Sequence, residues 1–177
     1  MHPVQISLRI IQLATSAIVL GTSISLALAQ NTSLAPVPAP TGYAAFCGGL
    51  GILVTLVGGL VEFLSDSGSG LRRERGRQRG RVMSWVDCLA GIVLVVGGVS
   101  YAVLLKNTPC TADAAQYNAL FNGGCKMLDR LDCAYVDKDP FRGTLERRCT
   151  TAKADCAFMF LAVVAFEAGF CWEVVRR

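Results

Sequence analysis

Long, uninterrupted apolar runs separated by polar connections set the pattern of this chain. Four runs are predicted to be membrane-spanning helices, because each supplies the roughly 20 apolar residues that a helix needs to cross a bilayer. The runs are continuous rather than alternating, which favours helices over the short alternating strands of a membrane barrel. The predicted spans cover residues about 6–29, 43–64, 85–105 and 155–175.

The composition strengthens this prediction. The chain has 177 residues, of which 53% are hydrophobic and 17% charged, whereas a soluble domain carries about 25% charged residues. No charged residue occurs from Ile10 to Val61. This excludes an ordinary water-soluble fold, a disordered chain and a nucleic-acid-binding domain. We therefore predict an all-α membrane protein in which residues 6–175 form one four-helix bundle, with no cofactor and no nucleic-acid partner.

The connection at residues 65–84 is rich in arginine and fixes the predicted orientation. Basic residues in short connections stay on the cytoplasmic side, so this connection and both chain termini are expected to be cytoplasmic. The connections at residues 30–42 and 106–154 then face outward. Each arginine near an anionic leaflet contributes about 1 kcal/mol of attraction, so lipid headgroups are candidate partners, although the arginines also suffice as a topology signal alone. They are Arg72, Arg73, Arg75, Arg77, Arg79 and Arg81.

The first apolar run has a second interpretation. Arg9 followed by an apolar stretch that ends in Ala27-Leu28-Ala29 is also typical of a cleaved signal peptide. The stretch is longer than the 7–15 residues of a usual signal core, which favours a retained helix. Asn31-Thr32-Ser33 just beyond it fits the pattern of a glycosylation acceptor. We expect Asn31 to be poorly used, because a retained helix would hold it against the membrane.

Four of the eight cysteines fall in the outer connection at residues 106–154. Two disulfides in an oxidising compartment explain them most simply, and the sequence does not choose among the three pairings. Zinc binding and free thiols are the alternatives; zinc is disfavoured because the only histidine, His2, lies on the other side. A fourth helix that begins near Thr144 would tie the connection to the top of the last span. The candidates are Cys110, Cys125, Cys133 and Cys149.

Glu167 lies inside the fourth apolar run. An acid in the hydrocarbon costs roughly 2.5–3.5 kcal/mol on insertion scales, so it is a functional candidate by default. Gln12, Thr15 and Ser16 are its expected partners at similar depth. Three roles stay open: a protonated structural acid, a contact with a lipid headgroup or partner, and a proton or ion pathway.

Other polar and small residues predict how the helices meet. Glu62 and Asp87 lie near the inner ends of their spans, where we expect them to pair with the arginine-rich connection or to cap a helix. Small residues recur at every fourth position and predict close helix packing, either within one chain or against a second copy. These stripes are Ala17, Gly21, Ser25 and Ala29; Gly51, Thr55 and Gly59; Ala165 and Gly169.

Three stretches carry a resemblance to a known family: residues 6–21, 85–91 and 148–160. Together with the order of spans and connections, they resemble the MARVEL-domain membrane proteins, and in particular small fungal members related to the non-classical export protein of eisosome domains. The resemblance implies a MARVEL-like four-helix domain and a role in plasma-membrane organisation or vesicle traffic. The cysteine-rich outer connection, Asp155-Cys156 and Glu167 depart from the family pattern.

The leading hypothesis is a non-enzymatic membrane protein that organises membrane domains or assists vesicle traffic through helix–lipid and loop contacts. A small transporter or channel subunit that uses Glu167 is the alternative. A membrane enzyme is a third possibility, disfavoured because a catalytic set is not recognisable and His2 is the only histidine.

Overall fold

The structure is a computed structural model that describes most of the apolar part of the chain. The described residues are 3–30, 38–66, 72–106, 108–111, 118, 120–121 and 139–175. Within them the chain forms four α-helices and no strand. The helices are α1 (Pro3–Gln30), α2 (Ala39–Asp66), α3 (Arg72–Leu105) and α4 (Asp139–Val175).

Proline marks the start of three of these helices. Pro3 opens α1, and Pro40 and Pro140 are the second residues of α2 and α4. Proline suits the first turn of a helix, because its missing N–H would have no partner within the helix there. At the start of α2, the backbone N–H groups of Thr41 and Gly42 both donate to the carbonyl of Pro38, at 3.0 and 3.3 Å.

Two of the four helices extend far beyond their predicted apolar runs. α3 begins at Arg72, so the arginine-rich stretch has helical backbone rather than forming a loop, and α4 begins at Asp139 rather than near Thr144. The 37 residues of α4 span about 55 Å at 1.5 Å per residue, well above the roughly 30 Å hydrocarbon core. Hydropathy detects only the part of a helix that lies in lipid, and arginine, glutamine and glutamate are good helix formers outside it.

The four helices form a closed ring. α1 packs against α2 and α4, and α3 packs against the same two helices. Successive helices run in opposite directions, so α1 begins at one end of the bundle and α2 returns to it. We call the end with Pro3 and Val175 the terminal end, and the end with Gln30 and Leu105 the loop end. The predicted four-helix membrane bundle is confirmed, and each helix is long and apolar enough to cross a bilayer.

The core contains side chains from every helix, including Val19, Ala44, Leu94 and Phe166, all buried to within 1% exposure. Large apolar side chains also cover the outside, where lipid would surround them. The core is therefore distinguished from the surface by packing and not by hydrophobicity.

The predicted small-residue stripes differ in where they lie. Gly51 on α2 is buried against Ser16 and Phe166, as expected for close helix packing. By contrast, Ala17 and Gly21 on α1 are exposed. Packing within one chain therefore holds for Gly51 and not for Gly59 of the same stripe, where a Cβ would meet no atom within 4 Å. It does not hold for Ala17 and Gly21, because α1 turns its polar side, rather than its small-residue side, toward the other helices.

Candidate functional site

The most conspicuous polar feature of the bundle is a charged cluster at the terminal end, between helices. Arg9 on α1 donates from Nη1 to Asp87 Oδ1 on α3, at 2.8 Å. Its Nη2 and Nε atoms both donate to Glu62 Oε1 on α2, at 2.8 and 3.2 Å. One guanidinium therefore bridges two acids from two other helices, and we call Arg9, Glu62 and Asp87 the Arg9 triad.

Gln12 extends the triad to the fourth helix. Its Oε1 accepts from Arg9 Nη1 at 2.9 Å, and its Nε2 donates to the Ala165 carbonyl of α4 at 3.2 Å. Gln12 is fully buried. Arg9 and Gln12 thus connect α1 to α2, α3 and α4 by hydrogen bonds at a single level of the bundle.

The charges of the triad are well shielded from the surroundings. The side chains of Arg9 and Glu62 are each 14% exposed, and that of Asp87 is 4% exposed. Charged groups inside a membrane normally face the bundle interior and pair with one another, because hydrocarbon solvates neither partner. The guanidinium is always charged and offers five N–H donors in a fixed fork, which suits it to hold two carboxylates at once.

A second polar cluster lies nearer the loop end. Asp155 on α4 is fully buried, and its two oxygens accept from Thr22 Oγ1 and Ser23 Oγ on α1, both at 2.7 Å. On the opposite pair of helices, the hydroxyl of Tyr101 donates to Thr41 Oγ1 at 3.4 Å. Near this end, side-chain hydrogen bonds therefore join α1 to α4 and α2 to α3.

Arg148 and a disulfide secure the loop end itself. Arg148 Nη2 donates to the carbonyl of Ala29 near the end of α1, and its Nη1 donates to the carbonyl of Phe121 at 3.1 Å. Cys110, just beyond α3, forms a disulfide with Cys149 on α4, and their Cα atoms lie 5.5 Å apart. The predicted disulfide tie between the outer connection and the last helix is thus present. Because Cys110 and Cys149 are bonded to each other, neither is a zinc ligand.

Glu167 has surroundings different from those expected. Its carboxylate packs against Gly91 on α3, where a side chain at position 91 would collide with it. Gln12 bonds instead to Arg9 and α4, and Thr15 bonds to its own helix. Ser16 packs against Gly51 on α2. The expectation that Gln12, Thr15 and Ser16 are partners of Glu167 is therefore wrong, since Glu167 faces α3 rather than α1.

Several predicted sites fall outside the part of the chain that the structure describes. Cys125, Cys133 and Asn31 are among these residues, and so are the side chains of the six arginines of residues 72–81. Their predicted roles, as a second disulfide, a glycosylation acceptor and a headgroup contact, stay predictions.

Arg9 and Asp155, which organise the polar contacts between helices, do not stand out in the sequence as functional residues. The sequence pattern points to Arg9 only as the basic residue before a possible signal peptide, and to Glu62 and Asp87 as partners of the arginine-rich connection or as helix caps. A usable signal exists in the sequence, because one basic residue and two acidic residues lie at matching depths in three different predicted spans. Asp155 was placed at a span boundary, so its burial was hidden by the predicted bounds of the fourth helix.

Four apolar helices of membrane-crossing length, closed by buried polar contacts, define a multi-pass membrane protein. The family model of the MARVEL membrane-associating domain matches residues 3–172. The match covers nearly the whole chain, so this protein belongs to the MARVEL family. Neither the curated proteins nor the solved structures gave a match.

Proposed function

We propose that this protein is a non-enzymatic scaffold of the plasma membrane that organises membrane domains or assists vesicle traffic. The observation that carries the proposal is that the polar side chains point between the helices and not outward. Arg9, Gln12 and Asp155 connect helices to one another, while the outer faces of the bundle present large apolar side chains. A bundle of this kind is suited to hold a fixed shape among lipids. The resemblance to the fungal eisosome-associated branch supports the same role.

The proposed orientation places both termini in the cytoplasm and the loop end outside. Two observations support it. Six arginines precede the apolar part of α3 at the terminal end, and such residues favour the cytoplasmic side. The Cys110–Cys149 disulfide is at the loop end, and disulfides persist in oxidising compartments outside the cytosol.

Retention of α1 in the mature protein is part of the proposal. α1 supplies Arg9 to α2 and α3, and Gln12 and Ser23 to α4. A cleaved signal peptide would leave Asp155 and the acids of the triad without these partners. An epitope placed at residue 1 should therefore remain on the mature chain; its loss, with the remainder stably folded, would refute this part of the proposal.

Anionic lipid headgroups are the proposed cytoplasmic partners of the arginines at residues 72–81. The chain, reconstituted with fluorescent phosphatidylserine, should show energy transfer from a tag at the C-terminus. Replacing all six arginines by glutamine should lower this transfer, whereas Arg147→Gln with Lys153→Gln, two exposed sites near the loop end, should not. Equal transfer in all three proteins would count against headgroup contact.

The membrane-organising role is tested by a fluorescent tag at the C-terminus in cells. Patches at the cell surface are expected, whereas an even or an internal distribution would contradict the proposal. A second copy of the chain is a further candidate partner, because the small residues Ala17 and Gly21 lie on the outside of α1.

A transporter or channel subunit is the second candidate function, and it depends on Glu167. This residue is partly exposed on the inner half of α4 and packs beside Gly91. Substituting Glu167→Gln would abolish flux if the acid carries a proton or an ion. Unchanged flux together with normal patches would remove this candidate.

A further inference from the structure

A groove runs between α1 and α2 at the terminal end, on the side of the Arg9 triad that faces lipid. Its volume is about 420 Å³, within the range of small-molecule pockets, roughly 300–1,000 Å³. Three apolar side chains from each helix form its walls at the spacing i, i+4, i+7, which places them in one row on a helix. They are Ile6, Ile10 and Leu13 on α1, and Leu56, Leu60 and Phe63 on α2.

Glycine at position 59 keeps the groove open. Gly59 lines it, and a Cβ built at this position would meet no atom within 4 Å. A large side chain here would fill the groove without forcing α1 and α2 apart. Thr55, on the same wall nearer the loop end, donates its hydroxyl to the carbonyl of Gly51 at 2.8 Å.

Two residues that line the groove, Arg9 and Glu62, keep one N–H group and one carboxylate oxygen, respectively, without a hydrogen-bond partner among the described residues. A guanidinium has five N–H groups, and the four hydrogen bonds of Arg9 to Glu62, Asp87 and Gln12 leave one N–H on Nη2. Among the described residues, Glu62 accepts hydrogen bonds through Oε1 alone, which leaves Oε2 available. Both residues line the groove. A hydroxyl group, which donates and accepts, complements this pair of atoms.

The charge and size of the groove restrict its occupant further. The triad has two acids and one guanidinium, so it does not favour an anionic phosphate. A helix is about 10–12 Å in diameter, so it would lie over the open side of the groove and enter it with side chains only. A single acyl chain is thinner, and it is flexible enough to follow the side-chain rows of both walls where a rigid fused-ring lipid is not.

We propose that the α1–α2 groove binds a diacylglycerol-type lipid, with one acyl chain between the two helices and its uncharged hydroxyl beside Arg9 and Glu62. The groove lies within the apolar spans, where lipid is the surrounding medium. This inference deepens the lipid contact of the proposed function, at a surface separate from the arginines of residues 72–81.

The test uses the full chain in phosphatidylcholine vesicles that contain a diacylglycerol with a photoreactive group in one acyl chain. Crosslinked peptides should map to residues 6–13 and 56–63. Gly59→Leu should lower this labelling about tenfold, because the leucine side chain would occupy the space of the acyl chain in the groove. Gly49→Leu is the matched control: position 49 is on the same helix, is equally open, and does not line the groove.

Three comparisons decide the chemistry of the ligand. Unlabelled diacylglycerol should compete on the unaltered chain, a measurement that needs no variant. The same probe with its hydroxyl acetylated, or with phosphate in place of the hydroxyl, should label weakly. Equal labelling by either probe, or by a photoreactive sterol, would overturn the assignment.

Other outcomes would overturn the site itself. These are undiminished labelling of Gly59→Leu, labelling spread evenly along the lipid-facing surface, and chain-to-chain crosslinks at the groove. The result is separable from the proposed function. Patches in cells without groove labelling would refute only the inference, whereas groove labelling without patches would refute only the membrane-organising role.

Discussion

A guanidinium within the apolar part of a bundle is tolerated only when its charge and its five N–H groups find partners. Arg9 meets this condition for its charge and for four of its five N–H groups, through Glu62, Asp87 and Gln12. Each acid, in turn, depends on Arg9 for its countercharge. At the scale of single residues, stability is thus concentrated in a few polar side chains, because apolar contacts do not discriminate between helix and lipid.

Substitution of Arg9→Gln should destabilise the bundle by about 3–5 kcal/mol, because removing one member of a buried ion pair leaves the others uncompensated. The free energy of unfolding can be measured by titrating the detergent-solubilised protein with a denaturing detergent. Lys106→Gln, at an exposed position of the loop end, is the matched control and should change little.

The triple variant Arg9→Gln, Glu62→Gln and Asp87→Asn separates charge from packing. It should recover much of the lost stability, because no uncompensated buried charge remains in this variant. A triple variant no more stable than Arg9→Gln would show that the ion pairs are not the cause.

At the scale of elements, α1 and α2 approach so closely that one position requires glycine. A Cβ on Gly48 would lie 2.6 Å from the backbone nitrogen of Leu20 and 2.9 Å from its Cα atom. Both atoms belong to the backbone and have no flexible end that moves aside. The neighbouring Gly49 has no atom within 4 Å of such a Cβ, so the two adjacent glycines differ only in what they face.

Gly48→Ala should therefore lower the free energy of unfolding by about 1–3 kcal/mol through overpacking. Gly49→Ala should be neutral or stabilising by up to about 1 kcal/mol, because alanine is the better helix former. Thermal unfolding in micelles, followed by tryptophan fluorescence, measures both. Equal effects of the two substitutions would contradict the close approach of α1 and α2 at Gly48.

At the scale of the whole molecule, one covalent bond joins the segment after α3 to α4. The Cys110–Cys149 disulfide spans 39 positions of sequence and encloses the long connection between the two helices. Arg148, next to Cys149, also holds the end of α1 through the Ala29 carbonyl. The segment after α3 is thus bound covalently to α4, and α4 is held to the end of α1 by the hydrogen bond of Arg148.

Cys110→Ser, Cys149→Ser and the double variant should each be less stable by about 3–4 kcal/mol on the chain-entropy model. The double variant should be no worse than either single one, because both remove the same bond. Non-reducing electrophoresis and unfolding in micelles provide the measurements. Cys171→Ser, which alters an exposed free thiol, is the control. Strictly additive losses in the double variant would contradict the pairing.

Much of the architecture follows from the sequence. Four apolar runs predicted the four spans, because lipid leaves the backbone no partner outside a helix, and the family resemblance was carried by the same runs. Helix ends were less predictable: Arg72–Arg81 and the start of α4 at Asp139 are polar and lie beyond any hydropathy signal. Of the candidate sites, the disulfide cysteines were recognised by residue type, whereas the pairing of Cys110 with Cys149 required the fold.

The sequence alone determined that this protein is a four-helix membrane bundle, since the length and apolarity of each run are local properties. Only the tertiary structure decided which helix faces meet. It turned the polar side of α1 inward, placed Arg9 between Glu62 and Asp87, and set Asp155 against Ser23. The physical reason is that, in lipid, every face of these helices is apolar enough to lie on the outside. The rotation of each helix about its own axis is therefore set by a few hydrogen bonds, ion pairs and close backbone contacts between residues far apart in the chain.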